Sequence, residues 1–567
     1  MKGTRLASGR KNRWLLWFLG ALAVLLIALG IAVNISLHHA EPMLREVIVE
    51  KLQERFHARV ELDSFHMSLV NGLWAEGKGL QIWPPAEVEG VTVPGTAPDP
   101  NQGGPLIRIA EFRFHAPLRF DPGKPVHISV VQLQGLDIDM PPKSHFTHAE
   151  QPQQQPASGR EKKKPSNSLL HFQIDTIECT GANLTLETSK PGKMPLVFAI
   201  QQLKLANVSA GGAMHFDAVL TIPRPAGLIQ TSGMVGPWST GDPGETPVSG
   251  DYQFSHADLG VFKGIAGILD STGKYSGPLR NMEVEGETTT PDFRLTHFGT
   301  ALPLKTTFHA TVDGTNGDTY LHPVDAMLGR SHFTAEGEIV RVRPVLAHDQ
   351  VVKPGGHDIS LKVNVDRGKM DDFLRLTSKN DTPLLTGDLV LKTTLDIPPG
   401  KEPVHERIRL NGNFTLTNAE FTSAKIQNYV GQLSLRGQGD TKEAKNGGGA
   451  DTKSAMQGNF KMGNGVIDLP NLQYSVPGAQ IDLAGKYGLQ GSTLDFAGTA
   501  RTDATVSQMV GGWKGFLLKP ADRIFKKDGA GTLVPIHVNG TREDPKFGVD
   551  FKDLKHTHPA TPGENQQ

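Results

Sequence analysis

Several stretches of this 567-residue chain have the outline of a chemical site and fail on a decisive residue. Gly267 followed by Gly273-Lys274-Tyr275 suggests a phosphate-binding loop. Five residues separate its glycines where the motif needs four, and Tyr275 stands where a Ser or Thr hydroxyl must reach magnesium. Asp313-Gly-Thr-Asn-Gly-Asp318 suggests a calcium loop. It lacks glycine at the sixth position and an acid at the twelfth, so it reads as a hairpin turn. The 21 histidines are scattered, with His38-His39 behind an apolar run and His556 and His558 in the tail. HExxH, CxxC and GxSxG spacings are missing, which leaves zinc hydrolysis and serine catalysis without support. Cys179, the one cysteine, sits in an apparent strand as a small apolar filler and rules out an internal disulfide. The chain therefore reads as a non-enzyme, with no catalytic residues, no cofactor site and no metal site. A net charge of −1 gives no reason to expect a nucleic-acid partner.

The most decisive element is N-terminal. Residues 1–13 form a basic leader carrying Lys2, Arg5, Arg10, Lys11 and Arg13 with no acid among them. Residues 14–34 are uncharged and apolar, with Trp14 and Trp17 at the interfacial end and Leu22, Leu25, Ile27 and Val33 in the span. Twenty helical residues at about 1.5 Å rise match a bilayer core of roughly 30 Å. The positive-inside rule keeps the leader cytoplasmic and exports the rest. The expectation is a single-pass anchor. The competing reading, a cleaved signal peptide, has only Ala28-Leu29-Gly30 as a poor cleavage site.

Behind the anchor, Glu41–Phe56 reads as an amphipathic helix with Met43, Val47, Leu52 and Phe56 at helical spacing. The period then becomes two. Phe112, Phe114, Ala116, Leu118 and Phe120 share one face, and Ile359, Leu361, Val363 and Val365 alternate with Ser360, Lys362, Asn364 and Asp366. Weaker alternation recurs over 384–395, 408–416, 481–483, 494–496 and 547–551. Such strands bury one face and wet the other, as in antiparallel sheet. Gly (63) and Pro (39) supply turns such as Pro191-Gly192, Asp313-Gly314, Pro399-Gly400 and Pro477-Gly478. A second helix is expected over Val506, Met509, Val510, Trp513, Phe516 and Leu517, and a weaker one over Leu259–Leu269. The fold class is mainly β with a few helices: one transmembrane helix, then a long, curled, largely antiparallel sheet. The regions are 35–147, a disordered insertion 148–168, a central β region 169–439, a flexible linker 440–455, a C-terminal β region 456–555 and a disordered tail 556–567.

This order of elements resembles the AsmA-like family of bacterial inner-membrane-anchored periplasmic proteins, to which TamB is related. The likeness rests on Leu44–Val70, on Val126–Met140 as a strand-turn-strand signature, and on a C-terminal region from about 411 to 554. That region contains Gly465-Val-Ile-Asp-Leu-Pro-Asn-Leu, Ile481-Asp-Leu-Ala-Gly-Lys-Tyr and Thr532–Thr541 followed by Asp544-Pro545-Lys546-Phe547. The resemblance implies a role in envelope biogenesis, in the inner membrane with the bulk of the chain periplasmic, and a hydrophobic β-groove that shelters phospholipid. Phe112, Phe114, Leu118, Phe120, Ile359, Leu361, Val363 and Val365 are then the candidate lipid-facing residues. Alternation alone leaves a dry core open. A different reading is an assembly factor that engages outer-membrane proteins through free strand edges.

Overall fold

A computed structural model describes residues 42–549 apart from 43–44, 47, 51, 54–58, 69–72, 84–85, 89–90, 94–103, 117–125, 141–171, 187–189, 209–211, 224, 240–241, 263, 297, 348–349, 378–381, 511–531 and 542–543. The leader, the 14–34 span, the 148–168 insertion and the 556–567 tail lie outside the described residues. So do Leu118 and Phe120. No helix among the described residues is long and apolar enough to cross a membrane. Among the described residues the protein is mainly β, 68% strand, with few helices. It divides into two compact units, one of residues 1–189, 195–221 and 230–250, the other of 190–194, 222–229 and 251–567.

In the first unit Leu73–Ile82 pairs with Val60–Glu61 and Ser64–Ser68 on one side and with Ile107–Ala116 on the other. Val126–Met140, Phe172–Leu186 and Leu196–Val208 follow in order. Pro42, Arg45, Glu46, Ile48, Val49, Glu50, Leu52 and Gln53 are helical. Ile48, Val49 and Leu52 pack on the cluster of Val60, Leu62, Phe65, Ala75, Leu80, Ile82 and Phe112. Of the predicted stripe, Leu52 takes this role; Met43, Val47 and Phe56 lie outside the described residues.

Two features of this unit depart from the sequence reading. Val126–Met140 is one strand, not strand-turn-strand, because Gly135 absorbs the irregularity at φ 63° without breaking the ladder. Its pairing with Phe172–Leu186 is parallel. Parallel neighbours need a long return connection, which residues 141–171 provide. Gly79, Gly135 and Gly181, at φ 67°, 63° and 67°, fall side by side across the neighbouring strands. Only glycine adopts this backbone without penalty, and Ala110 sits between Gly79 and Gly135 in that row.

The second unit is an antiparallel meander. Its strands are Ile268–Pro278, Met282–Leu295, Phe298–Val312, Thr319–Leu328, Ser331–Val342, Gly356–Lys369, Leu385–Ile397, Arg409–Phe421, Ser454–Gly463, Val466–Val476, Ala479–Gly488, Thr493–Thr502, Thr532–Thr541 and Pro545–Val549. Each pairs with the next. The sheet is curled into a half-barrel. Aromatic–glycine cross-strand pairs recur through it: Phe308 opposite Gly286, Phe460 opposite Gly412, Phe414 opposite Gly458 and Phe496 opposite Gly485. A Cβ on Gly485 would lie 2.2 Å from the Asp495 carbonyl oxygen and 2.6 Å from Phe496 Cδ1. The missing side chain is what lets a ring lie flat on the curved face.

Two stretches of this unit differ from the sequence expectation. Leu259–Leu269 is no helix; a 3-10 turn at Leu259–Val261 gives way to the strand from Ile268, with Gly264 and Gly267 at φ 114° and 143°. The stretch 440–455 is no flexible linker. Asp440 caps the helix Thr441–Lys445, Ala444 is buried, and Gln427 of the helix Ala424–Gly437 donates to the carbonyls of Ala450 and Thr452 at 3.0 and 2.7 Å. Apolar burial is scarce there. A buried amide, and backbone contact between Gly431 and Gly449, replace it. The helix expected from Val506 is present over Val506–Val510; Trp513, Phe516 and Leu517 lie outside the described residues.

Candidate functional site: a half-covered apolar face

Register puts the apolar residues of the second unit in continuous rows. One runs Leu361, Leu395, Leu410, Met462, Ile467, Tyr487 and Leu494 through successive cross-strand pairs. Nearer the other strand ends, two helices cover the same face. Met370, Phe373 and Leu374 of Met370–Thr377 pack on Leu385, Leu389, Leu416 and Ala419. Val430 of Ala424–Gly437 packs on Val476 and Ala479.

Burial follows that cover. Val365 and Leu416 are each 1% exposed, while Ile359, Leu361, Val363, Leu395, Leu410, Met462, Ile467, Tyr487 and Leu494 are only half-buried. The alternate residues Ser360, Lys362, Asn364, Lys392 and Lys461 are exposed. Along the strands from 268 to 312 hydroxyl groups join Leu302, Leu304 and Ala310 on the same face. Ser271, Thr288 and Thr306 line it, with Thr288 and Thr306 hydroxyls 2.7 Å apart and Tyr252 3.1 Å from Ser271. The Leu361 row itself continues through Gly337, Leu321, Ala310 and Val284, and its longest unbroken apolar run lies within residues 356–541.

The predicted residues separate accordingly. Ile359, Leu361, Val363 and Val365 share this face, and Val365 is sealed beneath it. Phe112 and Phe114 belong to the first unit, their rings stacked at 6.4 Å between centroids, inside or against its core cluster. Cys179 is buried against Leu136 and Ala182, and burial pushes its thiol pKa up, which suits a filler and not a nucleophile.

Ionic groups lie in the 313–318 turn and on the opposite, polar face. Lys190 and Lys193 reach the buried Asp313 and Asp318 of the six-residue turn at 2.7 and 2.9 Å, so ammonium groups, not a calcium ion, face these carboxylates in the hairpin turn. His332 lies between carboxylates, Asp366 at one ring nitrogen and Asp325 at the other, 3.1 Å away. The Asp366 hydrogen bond, then the Asp325 one, raises the His332 pKa, and His332 in turn lowers that of Asp366. Glu283, His309 and His322 gather on three adjacent strands, a grouping the sequence reading missed. The signal was available: 309 and 322 are equidistant from the centre of the Asp313–Asp318 turn, and antiparallel strands place such residues side by side.

No family model, curated protein or solved structure matches this chain.

Proposed function

We propose that this is an inner-membrane-anchored periplasmic protein of envelope biogenesis whose curled sheet shelters or transfers phospholipid acyl chains along the 356–541 face. The supporting observation is the row from Leu361 to Leu494, apolar across seven strands and left half-covered where the helices end. Exposing one methylene to water costs about 0.8 kcal/mol, so a phospholipid with roughly 30 of them faces on the order of 20 kcal/mol in crossing water bare. A continuous apolar strip removes much of that cost without nucleotide energy. The AsmA-like resemblance points the same way.

Solvent extraction of the purified full-length chain, followed by mass spectrometry, tests the reading. Phospholipid should accompany the protein, and Leu361→Glu or Leu410→Glu should lower occupancy several-fold while leaving strand content unchanged. A folded chain that stays free of lipid after exposure to phospholipid vesicles would sink it.

The alternative, strand addition by outer-membrane protein clients, is less well served. Pro545–Val549 pairs on one side only among the described residues, and it begins with Pro545 and Lys546, residues that blunt an edge against further pairing.

A further inference from the structure

We propose that Glu283, His309 and His322 form a binding site for a divalent transition-metal ion of the zinc or copper class on the polar face of the second unit. The three residues project from Met282–Leu295, Phe298–Val312 and Thr319–Leu328, consecutive strands of the sheet. Their ligand atoms all lie within 4.8 Å of one another. His309 Nε2 is 2.9 Å from a Glu283 carboxylate oxygen, and the two imidazoles stack at 4.7 Å between centroids with 30° between planes.

The backbone sets this arrangement. One extra residue at His322-Pro323 shifts the register against both flanking strands, leaves His322 and Pro323 exposed together, and returns Val324 to the buried face. Bulges of this kind re-aim side chains. The Thr311 hydroxyl, opposite Glu283 in the ladder, completes the setting. It donates to Glu283 Oε1 at 3.1 Å and lies 3.0 Å from His322 Nε2, so it bridges two of the ligands as an outer partner does in metal sites.

The donor set chooses the ion. Two imidazoles and one carboxylate suit zinc, copper or nickel, whereas magnesium and calcium favour all-oxygen sites. Zinc–nitrogen bonds of about 2.0–2.1 Å would require the three donors to close on a common centre. All three side chains are exposed on paired strands, so rotation about their side-chain bonds is the movement the site requires. Three protein ligands leave a position for water or a further ligand. The inference is independent of the lipid-binding proposal, since it concerns the opposite face.

The test titrates the untagged, chelator-treated full-length chain with Zn2+ or Cu2+ and compares it with the His309→Asn/His322→Asn double variant. We expect one equivalent to bind with an affinity that falls by about 100-fold or more in the double variant and by about 10-fold in Glu283→Gln. His332→Gln should bind as the unmodified chain does. His38, His39, His556 and His558 remain in every variant, so any binding they contribute is common background. Cu2+ electron paramagnetic resonance on the unmodified chain should show coupling to two imidazole nitrogens. Equal affinity and stoichiometry in the double variant, or a copper signal without nitrogen coupling, would overturn the proposal.

Discussion

Two apolar faces in this molecule obey the same alternation and meet different fates. In the first unit Phe112 sits within a cluster closed on one side by Ile48, Val49 and Leu52 of the N-terminal helix. In the second, Leu361, Leu395 and Leu410 lie in the same kind of pattern, but the helices Met370–Thr377 and Ala424–Gly437 cover only the strand ends nearest them. Alternation decides which side chains point away from water. It does not decide what covers them, because the cover comes from elements distant in sequence. A covered stretch is a core, and a half-covered one is where the proposed apolar ligand would lie.

The contrast can be broken by mutation. Phe112→Ala should be the most damaging change, costing about 3–5 kcal/mol through lost transfer energy and a cavity, read as a lowered denaturation midpoint. Leu416→Ala, beneath the second-unit helices, should cost about 2–5 kcal/mol by the same measurement. Gly485→Ala should cost about 1–3 kcal/mol, since its Cβ has no space beside the Asp495 carbonyl and the Phe496 ring. Leu361→Ser, on the half-covered stretch, should cost about 1 kcal/mol or less in a lipid-free preparation. If Leu361→Ser proves as costly as Leu416→Ala, the two stretches are equally covered and the contrast fails.

The smallest effect concerns pH. His332 has its pKa raised from 6.5 by Asp366 and Asp325, so its contribution to stability is complete below pH 6.5 and is lost as pH climbs through the raised value. Asp366, lowered from 3.8 by His332, contributes above pH 3.8 and loses that contribution as pH falls through its lowered value. A melting-temperature profile should therefore decline on the alkaline side of pH 6.5, and His332→Gln should flatten that decline.

Much of the architecture was legible in the residues. Ile359–Val365 alternates cleanly because both of its neighbours are antiparallel and one of its faces is wet. Pro477-Gly478 marked a tight hairpin, with Gly478 at φ 84°. Two of the failures share a cause, since each depends on a partner remote in sequence. Val126–Met140 looked broken at Gly135, whose role shows only beside Gly79 and Gly181. The 440–455 stretch looked unstructured because it lacks apolar residues, yet Gln427 holds it with hydrogen bonds. Leu259–Leu269 had helical spacing, but three glycines remove the propensity such spacing needs. For the apolar site, the pattern located Leu361 and Val363, while the divide between covered and half-covered positions depended on where two helices dock.

The second unit's meander carries one more implication. Each strand from Ile268 to Val549 finds its ladder partners in the strands next to it in sequence, across connections that include 422–453 and 503–531. Such wiring is modular. Removing a whole hairpin, two strands at a time, keeps the alternating polarity of those left behind and brings former second neighbours together. The span of the ribbon is therefore a quantity that insertions and deletions can tune in steps of about 10 Å without redesigning the remainder.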